Sequence, residues 1–251
     1  MRRTIEFLIV LAAVAVIVVL MGRNSEEPEA GKSPVSTTTP APASSLTPIP
    51  DSTRPPRPTN SAELSTGLIP LPDKKDIPAL TQARTVRVET SDGSFELEIY
   101  PEAAPNAVER FLKLVEVGFY NDIPVSRVVP GFVVQFGINS EMAEWKDKSF
   151  KDDPSLFQLT PGTIAFAKAG LDTNSTQVFI NLRTNNQLAD PSMNFTTFGR
   201  VTEGWEVVQG FRQVGDASMG LDQATLWADG DAYLERLSEK PSLIARMTVV
   251  E

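Results

Sequence analysis

The chain has no histidine and no cysteine, which limits the chemistry it can run. Without imidazole there is no Ser-His-Asp triad and no usual general base at neutral pH. Without thiols there is no cysteine nucleophile, disulfide scaffold or zinc-finger site. What remains is carboxylate, lysine, arginine, hydroxyl and amide chemistry, or recognition by shape. Generic signatures are missing too: there is no phosphate loop, nucleophile elbow or dinucleotide fingerprint. Asp229-Gly230-Asp231 hints at a calcium loop but lacks the other ligands, and Asp152-Asp153 reads as a solvated pair rather than a catalytic dyad. No metal or organic cofactor is expected. The informative stretch is Ser126-Arg127-Val128-Val129-Pro130-Gly131-Phe132-Val133-Val134-Gln135-Phe136-Gly137, which sets one guanidinium and one amide among apolar and aromatic side chains.

Such residues need a folded region to position them, and the pattern turns globular at about Thr85, within a domain read as 81–251. Val86 and Val88 alternate with polar residues, Ser91-Asp92-Gly93-Ser94 is a turn signal, and Phe95, Leu97 and Ile99 alternate again, which predicts a β-hairpin. Pro105 opens a helix at the position proline prefers; Val108, Phe111, Leu112 and Val115 form its apolar stripe and Gly118 ends it. Strand-like runs follow at 125–129, 132–135, 163–167, 177–182 and 197–201, then a helix over 205–211 and a closing strand over 243–250. Many short strands with two flanking helices predict a mainly β, closed barrel rather than a parallel sheet. Between Gln213 and Lys240, Leu221, Leu226, Trp227, Leu234 and Leu237 stand among charges. This reads as an insertion at about 214–240 that forms an extra helix, packed on the barrel or, alternatively, binding a partner.

The 251 residues suit one or two domains. The net charge of -9 lies entirely in the C-terminal part, because eight basic residues balance eight acidic ones before residue 81. An acidic domain repels phosphate backbones, so nucleic acid is not an expected partner. Upstream, Arg2 and Arg3 precede an apolar run from Phe7 to Gly22 that Arg23 closes. As a helix this run reaches about 24 Å, and Ile5 with the snorkelling arginines extends it. Residues 1–23 therefore read as a transmembrane signal anchor, or as a signal peptide if cleaved. With Arg2 and Arg3 inside, the domain lies outside the cytoplasm, periplasmic or at the cell surface, and is secreted in the cleaved case. Residues 24–80 hold 12 of the 20 prolines and read as a disordered Pro/Ser/Thr-rich linker; a Pro-rich ligand for a partner domain is the alternative.

The stretch 126–137 resembles the signature of cyclophilin-type peptidyl-prolyl isomerases, in which an arginine leads through Pro-Gly-Phe to a glutamine and glycines. Three further segments are similar to that family, in its order and spacing: Gly162-Thr163-Ile164-Ala165-Phe166-Ala167-Lys168-Ala169-Gly170, Asn174-Ser175-Thr176-Gln177-Val178-Phe179-Ile180, and Leu188 followed by Asn194-Phe195-Thr196-Thr197-Phe198-Gly199-Arg200-Val201. The resemblance covers about Thr85 to Phe211 and the last strand. It implies an eight-stranded antiparallel barrel capped by two helices, with a groove on its outer face that turns X-Pro bonds without a cofactor or a covalent step. It implies that Arg127 and Gln135 are catalytic. Phe132, Val133, Phe179, Leu188 and Phe195 would line a proline pocket, and Ala167, Lys168, Ala169 and Gln177 would bind substrate backbone. The expected partners are proline-containing polypeptides, met by a monomeric domain held to the membrane through its N-terminal helix.

Several positions depart from the family pattern. Ser126 stands where a histidine precedes the arginine, Val133 replaces a methionine, Lys168 replaces an asparagine, and Gln187 stands near a tryptophan linked to cyclosporin binding. These departures leave open a second reading, a non-catalytic module of the same fold that binds proline-containing segments of a membrane or envelope partner. The sequons Asn174-Ser175-Thr176 and Asn194-Phe195-Thr196 fall in the implied groove, where a glycan would block substrate, which favours a bacterial exterior over a glycosylating lumen. Gln187 predicts weak cyclosporin binding: an inhibition constant on the purified protein should lie well above the nanomolar range, and a nanomolar value would contradict the assignment.

Overall fold

The computed structural model describes residues 82–250, so the segments read as anchor (1–23) and linker (24–80) lie outside the described residues. Among the described residues no helix is long and apolar enough to cross a membrane. Eight strands form the domain: β1 (Arg84–Thr90), β2 (Gly93–Ile99), β3 (Ile123–Val129), β4 (Val133–Phe136), β5 (Thr163–Phe166), β6 (Val178–Asn181), β7 (Thr197–Glu203) and β8 (Leu243–Val250). They close into a barrel in the order β1-β2-β7-β5-β6-β4-β3-β8, and every pair is antiparallel. The expected architecture of a closed eight-stranded antiparallel barrel is therefore the observed one. Helices α1 (Pro105–Glu116) and α2 (Trp205–Gln209) pack their apolar stripes, including Phe111, Leu114 and Val208, into the same core as the strands. The second helix is shorter than its apolar pattern predicts because Gly210 ends it.

Strand alternation divides the side chains between two clusters. Inward positions such as Val86, Leu97, Val134, Phe136, Ile164, Val178, Ile180 and Phe198 fill the barrel, leaving a packed interior rather than a channel. The outward neighbours on β4, β5 and β6 are Val133, Ala165 and Phe179, and they form a second apolar cluster on the outer wall with Val129, Phe132, Leu159, Leu188 and Phe195. Strands with apolar residues on both faces are covered on both faces; here the outer cover is the loops that carry Leu159, Leu188 and Phe195.

Asp152-Asp153 is a correction to the solvated pair expected. Asp153 is only 4% exposed, and its carboxylate accepts the backbone N–H groups of Asn106 (3.2 Å) and Ala107 (2.9 Å). Those are first-turn donors of α1 that its own N-cap, Ala104, cannot satisfy. Burial pushes the Asp153 carboxyl up, while the N–H bonds from Ala107 and Asn106 hold it back. The Asp152 side chain is little exposed as well and belongs to an ion pair described below.

The segment after α2 folds over β3. Asp216 and Gly220 exchange backbone hydrogen bonds of 2.8 Å, and Leu221 N–H donates to the Ser126 carbonyl at 2.8 Å. Helices α3 (Gln223–Asp229) and α4 (Asp231–Arg236) follow, and Leu221 and Leu226 pack on Ile138 with Trp227, Tyr233, Leu234 and Leu237 around them. Gly220 makes this approach feasible: its φ is +72°, and a Cβ there would stand 2.4 Å from the Ser126 carbonyl oxygen and 2.7 Å from Arg127 Cα. Neither the dihedral nor the space suits another residue. Gly220→Ala should therefore cost about 1–3 kcal/mol of stability, from backbone strain and the displaced loop, measured by denaturant unfolding. A loss within experimental error would show that the loop is not fixed on β3.

Candidate active site

One irregularity in β3 decides where its arginine stands. Val125 pairs with Phe136, but the register then shifts by one residue, so that Arg127 pairs with Gln135, Val128 with Val134 and Val129 with Val133. Val125 and Phe136 point into the core. Strict alternation would carry Arg127 inward with Val125; the bulge at Ser126 turns it to the outer wall instead. Ser126 is fully buried, its hydroxyl donating to the Gln135 carbonyl at 3.2 Å. The ladder then sets Arg127, Gln135, Phe179 and Ala165 in one row across β3, β4, β6 and β5, on the face of the outer apolar cluster.

Arg127 is 4% exposed, and its hydrogen-bond partners are neutral oxygens. Nε donates to the Ser218 carbonyl at 2.7 Å and Nη1 to Gln135 Oε1 at 3.4 Å. The guanidinium carbon lies 5.9 Å from the Phe132 ring centroid. Among the described residues, Nη2 of Arg127 is the buried side-chain polar atom that has no partner. Burial pulls the group down from its ordinary value to about 10, while the charge of Asp216 raises it, so it remains a cation at neutral pH. An unpartnered donor on a buried cation costs free energy in the empty protein, and an incoming carbonyl or amine acceptor removes that cost.

Beside the guanidinium lies a shallow apolar dish. Phe132, Val133, Phe179, Leu188 and Phe195 are each 5% exposed or less, and the Phe179 and Phe195 rings meet edge to face at 5.7 Å. Leu188 is carried by a short 3-10 turn, Asn186–Ala189, and Phe195 N–H donates to the Leu188 carbonyl. Gln135 Nε2 donates to Gln177 Oε1 at 2.8 Å, which brings Gln177 into the same array although it lies just outside β6. The structure thus brings together Arg127, Gln135, Phe132, Val133, Gln177, Phe179, Leu188 and Phe195.

The segment 167–169 behaves differently from the others. Ala167 N–H extends the β5–β6 ladder to the Gln177 carbonyl, and Ala169 N–H is taken by Thr173 Oγ1, so neither amide N–H is free for a substrate. Lys168 does not offer its ammonium to the groove. It is buried, pairs with Asp152 Oδ2 at 2.5 Å, donates to the Asn194 carbonyl at 2.9 Å and lies 5.3 Å from the Phe195 ring centroid. Burial lowers the Lys168 ammonium, and the bond and charge of Asp152 oppose that shift. Asp152 also accepts from Asn174 Nδ2 at 2.6 Å. The amide nitrogens of both sequon asparagines are committed to the fold, Asn194 Nδ2 donating to the Asp153 carbonyl.

Several residues of this site carry no sequence signal of their own. Ser218 contributes a carbonyl from a turn that Asp216 organises by accepting the N–H groups of Ser218 and Met219. Gln223 accepts from Gln177 Nε2 at 3.2 Å. Arg183 lies 5.4 Å from the Phe132 ring centroid. Asn185, fully buried, donates to the Phe132 carbonyl and anchors the 3-10 turn.

Comparison with known proteins agrees on one family. A family model described as cyclophilin type peptidyl-prolyl cis-trans isomerase/CLD matches residues 85–226. The chain is 34% identical over 133 residues to a peptidyl-prolyl cis-trans isomerase-like 1 of Aspergillus fumigatus, covering 51% of this chain and 81% of that protein. It is 33% identical over 135 residues to a peptidyl-prolyl cis-trans isomerase-like 2 of Gibberella zeae, but there spans only 23% of the relative's length. In fold it is similar to the crystal structure of a cyclophilin type peptidyl-prolyl cis-trans isomerase of Cryptosporidium parvum, with a TM-score of 0.53 at 19% identity over 67% of this chain and 98% of that one. The same Cryptosporidium protein determined in the presence of the dipeptide Ala-Pro gives 0.52, at 19% identity over 66% and 99%.

The ion pair beneath the dish supplies a test. Asp152→Ala leaves the Lys168 ammonium buried without its carboxylate, and breaking one side of such a pair costs about 3 kcal/mol. Replacing both partners, as Asp152→Leu with Lys168→Met, should recover most of that loss in denaturant unfolding. Equal losses in the single and double variants would show that the pair does not carry the effect.

Proposed function

The chain belongs to the cyclophilin-type peptidyl-prolyl cis-trans isomerase family, and we propose that it accelerates rotation of X-Pro peptide bonds in exported polypeptides, assisting their folding. The observation that carries the reading is Arg127 Nη2, a buried donor without an acceptor, beside an apolar dish on the outer wall. The proposal includes a location: residues 1–23 anchor the chain in a membrane, 24–80 tether it, and a monomeric domain works outside the cytoplasm. The arginines flanking the apolar run and the density of prolines after it support that placement.

The chemistry matches the residue inventory. Rotation about a peptide bond faces a barrier of about 18–20 kcal/mol because the nitrogen lone pair is conjugated with the carbonyl, and X-Pro bonds interconvert over tens of seconds or longer. No proton leaves the substrate, so no imidazole base is needed. The enzyme must hold the twisted amide more tightly than either planar form. In the twisted state the prolyl nitrogen becomes pyramidal and its lone pair localises. A guanidinium N–H aimed there makes a hydrogen bond that exists only while conjugation is lost, and such a charged donor in a dry site is worth more than in water.

The remaining groups divide the work. Phe132, Val133, Phe179, Leu188 and Phe195 give the pyrrolidine ring a surface that asks for no donor. Gln135 holds Nη1 of Arg127 and keeps a second amide hydrogen for a substrate carbonyl, and Ser218 holds Nε, so the guanidinium plane is fixed before substrate arrives. Val133, shorter than methionine, makes the dish shallower or wider. With both neighbouring N–H groups committed, backbone binding falls to the Ala167–Ala169 carbonyls and to Gln177.

A proline-isomerisation assay on the whole protein tests the reading. Arg127→Ala should lower kcat/KM at least about tenfold with the thermal unfolding midpoint kept close to wild type. Because burial holds Arg127 down to about 10, it stays charged below that pH and loses its charge as pH rises through it. With no histidine to titrate, the wild-type rate should be flat across about pH 6 to 9 and fall above about 10. A wild-type protein that binds proline peptides but does not isomerise them would instead be the non-catalytic module; full activity in Arg127→Ala would discard the mechanism.

A further inference from the structure

We infer that Gln223, at the start of α3 in the insertion, is a positioning residue for the isomerase site, an inference that rests on the function proposed above. Four side chains are linked head to tail: Arg127 Nη1 to Gln135 Oε1 at 3.4 Å, Gln135 Nε2 to Gln177 Oε1 at 2.8 Å, and Gln177 Nε2 to Gln223 Oε1 at 3.2 Å. The chain has a direction. A guanidinium only donates, so Gln135 must turn its oxygen to Arg127 and its NH2 away from it. Gln177 must then present oxygen to Gln135 and NH2 to the insertion, where Gln223 presents oxygen in turn. Each amide is locked only if the next one accepts.

Gln223 is held well enough to serve as the terminus. Asp222 caps α3 by accepting Thr225 N–H at 2.6 Å, and its own N–H donates to the Tyr233 hydroxyl at 3.1 Å. Leu226, one turn on, is buried against Ile138, just after β4. The insertion therefore grips the catalytic array at both ends, through the Ser218 carbonyl on Arg127 Nε and through Gln223 on Gln177. Without the Gln223 oxygen, Gln177 loses the acceptor that fixes its amide, Gln135 is free to reorient, and the guanidinium loses its second support. The second hydrogens of Gln135 and Gln177, which remain for a substrate backbone, lose their direction with it.

The test compares Gln223→Leu, which keeps bulk and removes the acceptor, with Gln223→Glu, which keeps an acceptor oxygen. The whole protein is followed by side-chain amide NMR and by isomerisation of an Ala-Pro-containing peptide. We expect Gln223→Leu to shift the amide signals of Gln135, two links away, and to lower kcat about three- to tenfold with KM within about twofold, the worth of one hydrogen bond. Gln223→Glu should restore both, and the unfolding midpoints should match wild type. Unmoved Gln135 signals, or a kcat within twofold of wild type in Gln223→Leu, overturn the inference while leaving the isomerase reading intact if Arg127→Ala still loses activity. A wild-type protein without isomerase activity overturns the function instead, and the Gln135 signals alone then decide the positioning role.

Discussion

Everything the site can do depends on one extra residue in β3. The barrel interior is filled by apolar side chains, so a guanidinium on that face would meet Val125, Phe136 and their neighbours and be costly to bury. The bulge at Ser126 shifts the pairing by one and gives Arg127 to the opposite wall. The bulge is itself held from two sides. Ser126 bonds across to β4 through its hydroxyl, and its carbonyl accepts Leu221 N–H from the insertion. The placement of Arg127 on the outer wall is therefore a property of backbone register, stabilised by contacts distant in sequence.

The second constraint is electrostatic. A buried cation is normally satisfied by a carboxylate, and Lys168 shows that arrangement with Asp152. Arg127 is treated differently: its bonded partners are a carbonyl and an amide oxygen, and one nitrogen has none. Neutral partners orient the guanidinium without quenching its charge, which is what a donor aimed at a developing lone pair requires. Two buried cations within one domain thus differ in their partners, a carboxylate for Lys168 and neutral oxygens for Arg127, and the role proposed for Arg127 rests on that difference.

Much of the fold was legible from residue pattern, because short alternating strands and the apolar stripe around Phe111 reflect local physics that side-chain periodicity records. The identity of the site followed from four segments in order, and those segments supplied the residues that the structure gathers around Arg127. Other features had no such record. The bulge adds no special residue type, only Ser126 in an apolar strand. Ser218 acts through its carbonyl, which any residue possesses. Gln223 and Asp152 reach the site from a helix and a loop whose positions follow from tertiary packing of Leu226 and from the needs of α1. Asp153 looked solvated because its partners are backbone N–H groups nearly 50 residues away, invisible to any reading of neighbours.

The account turns on where the unpartnered donor goes when substrate arrives. The most direct measurement is a structure of the protein with a bound Ala-Pro-containing peptide. The account predicts the pyrrolidine ring against Phe132, Phe179 and Phe195, with Arg127 Nη2 within about 3.5 Å of the prolyl nitrogen or its flanking carbonyl, and Nε still on Ser218. A proline ring seated elsewhere, or seated in the dish with Nη2 contacting neither atom, would contradict it.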